Sequence, residues 1–90
     1  MPVWKIPAPF RYYTDKQPTV TVRGQTVAAA LDDLIQQHPS LQPKLYKKSG
    51  ELYAFVNLFV GENKIKNLQG LENPINEDDK LKLVPSIAGG

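Results

Sequence analysis

The chain has 90 residues, a net charge of +2 and a hydrophobic fraction of 41%, which predict one domain with a modest core and argue against disorder. It has no cysteine and one histidine, His38, so we expect no disulfide, thiol nucleophile, metal site or Ser-His triad. The chain is therefore not expected to be an enzyme by itself.

The distribution of charge and hydropathy also excludes two classes of partner. The basic residues are spread along the chain, whereas a nucleic-acid binder usually carries a dense basic stripe. No apolar run approaches the roughly 20 residues that a membrane span needs, and no apolar signal-peptide region follows Met1. We expect a cytoplasmic protein with no nucleic-acid and no membrane partner.

The first half of the chain predicts two strands and a helix. Residues 3–7 and 19–23 alternate apolar and polar side chains, which indicates an antiparallel hairpin. The connection, residues 8–18, carries aromatic side chains that we expect to pack over the edge of the core rather than bind a ligand. Thr26 suits a helix N-cap, and Pro39 limits the helix that follows.

The second half predicts a short helical turn and three strands. Residues 41–48 supply the turn, with Leu41 and Leu45 pointing inward. Residues 52–60 form the longest apolar run, whose aromatic and β-branched content favours a strand. A hairpin turn at 61–63, a return strand at 64–66, an irregular stretch at 67–76, an acidic turn at 76–79 and a last strand at 80–84 follow.

The strand predicted at 52–60 carries apolar side chains on both faces. Val56, Leu58 and Val60 share one face, and Phe55, Asn57 and Phe59 share the other. Either the strand is central, or its second face binds a partner, since an exposed apolar patch on a small domain usually marks such a site. For Phe59 we favour partner contact.

The chain ends in a thread of small residues. A C-terminal carboxylate has a pKa of about 3.3–3.7, so it is ionised at neutral pH. Glycine has no Cβ, so the backbone at Gly89 and Gly90 can pass where other residues clash. Such an end can insert a carboxylate into the active site of another protein; the alternative is a frayed terminus.

The order of elements predicts an α+β fold. A mixed sheet of four or five strands with one main helix packed on one face is the β-grasp (ubiquitin-like) arrangement. We assign residues 1–85 to this domain and residues 86–90 to a flexible C-terminal tail.

Several motifs together identify a family. They are Gly24-x-Thr26, Phe55-Val56-Asn57, Gly70-Leu71 and the ending Asp79-x-Leu81-x-Leu83-Val84-Pro85-x-Ile87-Ala88-Gly89-Gly90. Over essentially its whole length the chain resembles the ubiquitin-like sulfur-carrier proteins of the MoaD/ThiS family. Ile6-Pro7 and the unbroken run 55–60 make it most similar to the carrier of the cysteine-synthesis branch.

Two positions depart from the family pattern. Glu77-Asp78 stands where many members have a glycine. Ser86 stands where the molybdopterin and thiamine branches often carry a second proline.

The resemblance implies chemistry at the C-terminus. An E1-like enzyme would adenylate Gly90 with ATP, and a sulfur donor would then displace AMP to leave a thiocarboxylate. Gly89 and Gly90 would form the reactive thread, with Ala88 and Ile87 at the mouth of the enzyme's tunnel. The docking residues would be Phe55, Asn57, Phe59 and Pro85.

The resemblance also implies partners that carry the cofactors. The chain itself would bind none. ATP belongs to the adenylating enzyme, and the sulfur acceptor would be a pyridoxal-phosphate-dependent cysteine synthase, or else the large subunit of molybdopterin synthase with its molybdopterin precursor. The alternatives are therefore the small subunit of molybdopterin synthase, a thiamine sulfur carrier, and a ubiquitin-like modifier joined to lysines of other proteins.

Overall fold

A computed structural model of the protein describes residues 1–53, 55–65 and 71–85. Within these ranges, five strands form a single sheet. Numbered in chain order, they are β1 Val3–Lys5, β2 Thr19–Thr21, β3 Val56–Val60, β4 Asn63–Lys64 and β5 Lys80–Pro85. The helices are α1 Val27–Gln37 and α2 Gln42–Leu45, with 3₁₀ helices at Ala8–Thr14 and Pro39–Leu41.

The strands lie across the sheet in the order β2-β1-β5-β3-β4. β1 and β5 run parallel, and the other neighbouring pairs run antiparallel. The strand that comes last in sequence therefore lies at the centre of the sheet. This is the β-grasp arrangement, so the predicted α+β class, mixed sheet and single main helix are confirmed.

The core lies between α1 and one face of the sheet. Trp4 of β1 is fully buried, and its indole Nε1–H donates to the backbone oxygen of Ala30 in α1 at 3.0 Å. A buried indole N–H needs an acceptor, so this bond holds the helix at a fixed place over β1. Leu81 and Leu83 of β5 pack into the same core and are also buried.

Local sequence sets both ends of α1. The Thr26 hydroxyl oxygen accepts from the backbone N–H of Ala29 at 3.1 Å, as predicted for an N-cap. At the other end His38 occupies the C-cap, where its backbone N–H donates to the Leu34 oxygen, and Pro39 follows. The buried stripe between these ends is Val27, Ala30, Leu31 and Leu34.

The strand predicted at 52–60 is too long. β3 begins only at Val56, because the backbone turns just before it. The Tyr53 N–H donates to the Leu45 oxygen, and the Val56 N–H donates to the Tyr53 oxygen. Leu52 forms only an isolated bridge, with Tyr46. β3 is also not the central strand, since β5 lies at the centre.

The connection at residues 8–18 contains a 3₁₀ helix that the sequence did not predict. Thr14, the last residue of this 3₁₀ helix, is fully buried. Its hydroxyl group donates a hydrogen bond to the Gln17 backbone oxygen at 3.0 Å. Phe10 is buried and Tyr13 packs partly against the core, as expected. Tyr12 does not, because 80% of its surface is exposed.

The predicted strands at 3–7 and 19–23 are each two residues too long, since β1 ends at Lys5 and β2 at Thr21, and the return strand predicted at 64–66 is Asn63–Lys64. The other predicted elements hold where the structure describes them. Leu41 and Leu45 are fully buried, and the hairpin turn after β3 is made by Gly61 and Glu62, with Asn63 already in β4. The acidic turn at 76–79 precedes β5, with the Asn76 N–H donating to an Asp79 carboxylate oxygen at 2.8 Å. Predictions for residues 66–70 and 86–90, including the boundary of the tail, lie outside the described residues.

We expect Gly24→Ala to destabilise the fold strongly. Gly24 has a φ of +155°, and a Cβ there would lie 2.6 Å from the Ala30 nitrogen. Backbone strain and overpacking together predict a loss of more than about 2 kcal/mol of unfolding free energy in urea titrations.

The matched control is Gly61→Ala. Gly61 also has a positive φ, +61°, but a Cβ added there would meet no atom of the described residues within 4 Å, its chain neighbours aside. Its loss should stay near the left-handed backbone cost of about 1–2 kcal/mol. Equal losses in the two variants would refute a close approach of Gly24 to α1.

Candidate functional site

The sheet has a second face that α1 does not cover. On β5 the buried Leu81 and Leu83 alternate with Lys80, Lys82 and Val84, which point the other way. Strand register extends this face across all five strands. We call it the open face; its members are Val3, Lys5, Thr19, Thr21, Asn57, Phe59, Lys64, Lys80, Lys82 and Val84.

A row of four paired residues crosses the open face. Lys5 of β1 lies opposite Lys82 of β5, Lys82 lies opposite Phe59 of β3, and Phe59 lies opposite Lys64 of β4. Phe59 is half-buried and shares a shallow groove with Glu62, Lys82 and Val84. Phe59 thus presents an apolar surface between Lys82 and Lys64. This residue, for which the sequence favours contact with a partner, is accessible to solvent.

The three other predicted docking residues, Phe55, Asn57 and Pro85, lie at the end of the sheet where β5 ends. Val56 pairs with Pro85, and Asn57 pairs with Val84. The Asn57 side-chain amide donates to the Val84 oxygen at 3.2 Å. This side chain therefore ties the start of β3 to the end of the central strand.

Phe55 lies beside this junction, in the turn before β3 rather than in a strand. Its ring stacks on that of Tyr53, with centroids 5.0 Å apart and planes at 16°, and 38% of its surface is exposed. An exposed aromatic stack therefore stands next to the last pair of the β3–β5 ladder.

The residues predicted to react lie just beyond this junction in sequence. Pro85 is both the last residue of β5 and the last that the structure describes. Ile87, Ala88, Gly89 and Gly90 lie outside the described residues. The predicted reactive residues therefore follow, in sequence, the end of the sheet at which Phe55, Asn57 and Pro85 lie.

Sequence reasoning missed the lysines of the open face. The alternation of Lys80 and Lys82 with leucines already places these two on one side of β5. Lys5 and Lys64 join them only through the register of strands far apart in sequence. No local pattern carries that information.

A second, larger groove lies on the helix side of the molecule. It is lined by α1 and by residues 42–53, including Asp32, Tyr46 and Lys47. Burial, and then the negative charge of Asp32, raise the pKa of the Tyr46 hydroxyl above its usual value. Of the predicted site residues that the structure describes, Phe55, Asn57, Phe59 and Pro85, none lines this groove.

The described ranges, 1–53, 55–65 and 71–85, contain neither a metal-binding cluster nor a membrane-spanning helix. Within them, no three His, Cys, Asp or Glu side chains come together in a way that suits a metal ion. Nor do those ranges include a helix with the length and hydropathy to cross a membrane.

Comparison with known proteins assigns the family. A sequence model of the ThiS family matches residues 4–90. The chain belongs to the ThiS family. The predicted resemblance is confirmed, and the match includes the tail residues.

Named relatives of this ThiS-family chain include carriers and a modifier. Sulfur carrier protein CysO of Mycobacterium tuberculosis is 31% identical over 87 residues, 94% of each chain. A crystal structure of an Amycolatopsis orientalis BexX/CysO complex matches with a TM-score of 0.86 and 29% identity, over 100% of both chains. Small archaeal modifier protein 1 of Haloferax volcanii matches with a TM-score of 0.81 and 30% identity, over 99% of this chain and 98% of that one.

We expect Asn57→Ala to loosen the end of β5. Loss of the amide donor to the Val84 oxygen removes a bond worth about 0.5–1.5 kcal/mol, so amide exchange at the end of β5 should accelerate roughly two- to tenfold. Hydrogen exchange followed by NMR measures this at Val84, with Leu81 as an internal reference.

Asn63→Ala is the control for this change. Asn63 is an exposed asparagine on β4, a strand that does not neighbour β5. It should leave exchange at Val84 unchanged. If Asn57→Ala leaves it unchanged too, the side-chain bond does not hold the end of β5.

Proposed function

We propose that this chain is a sulfur carrier whose Gly90 carboxylate is converted to a thiocarboxylate. One observation carries the proposal: a ThiS-family chain, similar to sulfur carrier CysO over 94% of its length, ends in Gly89-Gly90 a few residues after its central strand in sequence. Membership of the ThiS family and the Gly-Gly end together support a role as a carrier rather than as a catalyst.

The chemistry takes place on a partner enzyme. A carboxylate is a poor electrophile, so an oxygen of Gly90 attacks the α-phosphorus of ATP and pyrophosphate leaves. Hydrosulfide then attacks the carbonyl carbon of the acyl adenylate, AMP leaves with the electron pair of the broken C–O bond, and the thioacid loses its proton. The product is a thiocarboxylate, in which one oxygen of Gly90 has been replaced by sulfur.

The chain's own contribution is delivery of the carboxylate. Five residues separate Pro85 from the C-terminus, and five extended residues span at most about 18 Å. The enzyme's reactive site must therefore lie within that distance of the end of the sheet. One contact with the enzyme thus has two parts. The sheet docks through Phe55, Asn57 and Phe59, and the tail inserts Ile87, Ala88 and Gly89.

The sulfur acceptor we favour is a pyridoxal-phosphate-dependent cysteine synthase. Similarity to CysO over nearly the full chain supports the cysteine branch. The large subunit of molybdopterin synthase and the thiamine pathway are the alternatives. In every case ATP, pyridoxal phosphate or the molybdopterin precursor is bound by the partner, and this chain binds no cofactor.

A second candidate is a protein modifier whose Gly90 is joined to lysines. The observation in its favour is the likeness to small archaeal modifier protein 1, which is 32% identical over 65 residues, 72% of this chain and 70% of that protein. The two candidates share the adenylation step and differ in the nucleophile that displaces AMP. A modifier yields amide-linked adducts of higher mass, and a carrier yields a thiocarboxylate.

Intact mass spectrometry tests the carrier function. The chain is incubated with ATP, sulfide and an E1-like enzyme that is active on its own carrier. We expect the mass to rise by the difference between sulfur and oxygen, because one atom at Gly90 is exchanged. Fragmentation should place the change on the last residue.

The control is the chain with Gly90 deleted, which keeps the whole sheet and still ends in glycine. It should gain no sulfur, because the carboxylate no longer reaches the reactive site. An unchanged mass of the full chain, beside an enzyme that converts its own carrier, would count against the carrier function.

A further inference from the structure

Positive charge is concentrated on the open face. The chain as a whole is nearly balanced, with eleven basic and nine acidic residues. Among the open-face positions, by contrast, Lys5, Lys64, Lys80 and Lys82 are basic and none is acidic. The nearest carboxylate in the surrounding groove is Glu62, at the turn after β3. The charge of these four lysines exceeds the net charge of +2, so the rest of the chain is net negative, a division that composition alone conceals.

Two of these lysines oppose each other in a way that the fold does not require. Lys5 and Lys82 are direct partners across the parallel β1–β5 pair, and neighbouring strands lie about 4.8 Å apart. Like charges directly opposite each other destabilise a sheet. Since the pair weakens the isolated chain, it points to a role outside the fold, namely attraction of negative charge.

The same face carries apolar surface between the charges. Phe59 is half-buried and Val84 is 41% exposed, and both line the groove that Lys82 and Glu62 also line. An apolar centre with a charged rim is the usual anatomy of a protein–protein interface. The complementary surface therefore has an apolar depression bordered by carboxylates.

A protein fits this face better than a nucleic acid does. The acidic turn, residues 76–79, stands at the start of β5, next to Lys80. An extended polyanion lying along β5 would meet those carboxylates, whereas a compact acidic patch seated over Phe59 would not. Repulsion by the carboxylates of this turn also favours binding of the partner's acidic patch over the half of the sheet nearest Pro85.

We propose that the lysines of the open face bind an acidic surface of the enzyme that adenylates Gly90, with Phe59 and Val84 entering an apolar depression inside it. This inference rests on the proposed function, because the short reach of the tail keeps the end of β5, including Val84 of the open face, close to that enzyme. Complementary charge of this kind raises the association rate and makes it fall with ionic strength.

Two double variants with the same change in net charge test the inference. Lys5→Glu with Lys82→Glu cancels the positive charge of the open face, because Lys64 and Lys80 remain. Lys47→Glu with Lys48→Glu makes the same change in net charge at exposed positions bordering the helix-side groove. The measurement is pyrophosphate release by the E1-like enzyme with ATP, over a range of carrier and salt concentrations.

We expect the open-face variant to lose roughly tenfold or more in kcat/KM at low salt, since steering by charge changes association rates by about one to three decades. Its kcat at saturating carrier should stay near that of the wild type, because the tail is intact. The variant with changes at 47 and 48 should stay within about twofold in kcat/KM, since its altered charges lie outside the contact. Rising salt should lower kcat/KM of the wild type but barely change that of the open-face variant.

Thermal unfolding of the single variant Lys82→Glu separates recognition from folding. It turns the repulsive cross-strand pair with Lys5 into an attractive one, so its Tm should equal or exceed that of the wild type while kcat/KM falls. A purely structural role for Lys82 would change Tm without changing kcat/KM.

The possible failures are distinguishable. If the wild type is not adenylated by an active enzyme, the proposed function and this inference fall together. If it is adenylated but the two double variants behave alike, the inference alone is overturned. Binding of a single-stranded oligonucleotide that only the open-face variant loses, with adenylation unchanged, would assign the face to nucleic acid and would equally overturn it.

Discussion

The structure depends on the central position of β5. This strand pairs with β1 on one side and with β3 on the other, and its Leu81 and Leu83 are buried beneath α1. The last strand in sequence is therefore held by backbone hydrogen bonds along both edges and by packing on one face. In sequence the C-terminal residues follow directly after this strand, so in the proposed function only the segment after Pro85 would enter another protein.

The same strand also supplies side chains both to the core and to the open face. Because side chains of a strand alternate between faces, one set of β5 residues builds the core while the other, Lys80, Lys82 and Val84, builds the open face. A slip of one residue in register would exchange the two sets and expose the leucines. The open face and the core are thus fixed by one register, set mainly by pairing with β3, where Asn57 adds a side-chain bond to the Val84 oxygen.

Patterns of short range were predictable, and those of long range were not. The Thr26 cap and the alternation of β5 depend on neighbours within a few residues, and both predictions are confirmed. The start of β3 was placed too early because an apolar run does not reveal that the Tyr53 N–H turns to the Leu45 oxygen. The basic row around Phe59 depends on the register of β1, β5, β3 and β4, which no single stretch of sequence contains.

The most direct test of the account is the chemical state of Gly90 in the cells that make this protein. The chain would be purified from those cells, any thiocarboxylate on it alkylated at once, and the C-terminal peptide analysed by mass spectrometry. The account predicts a fraction of the peptide alkylated at a Gly90 thiocarboxylate. Finding Gly90 only as a free carboxylate and as amide links to lysines of other proteins would contradict it and favour a modifier.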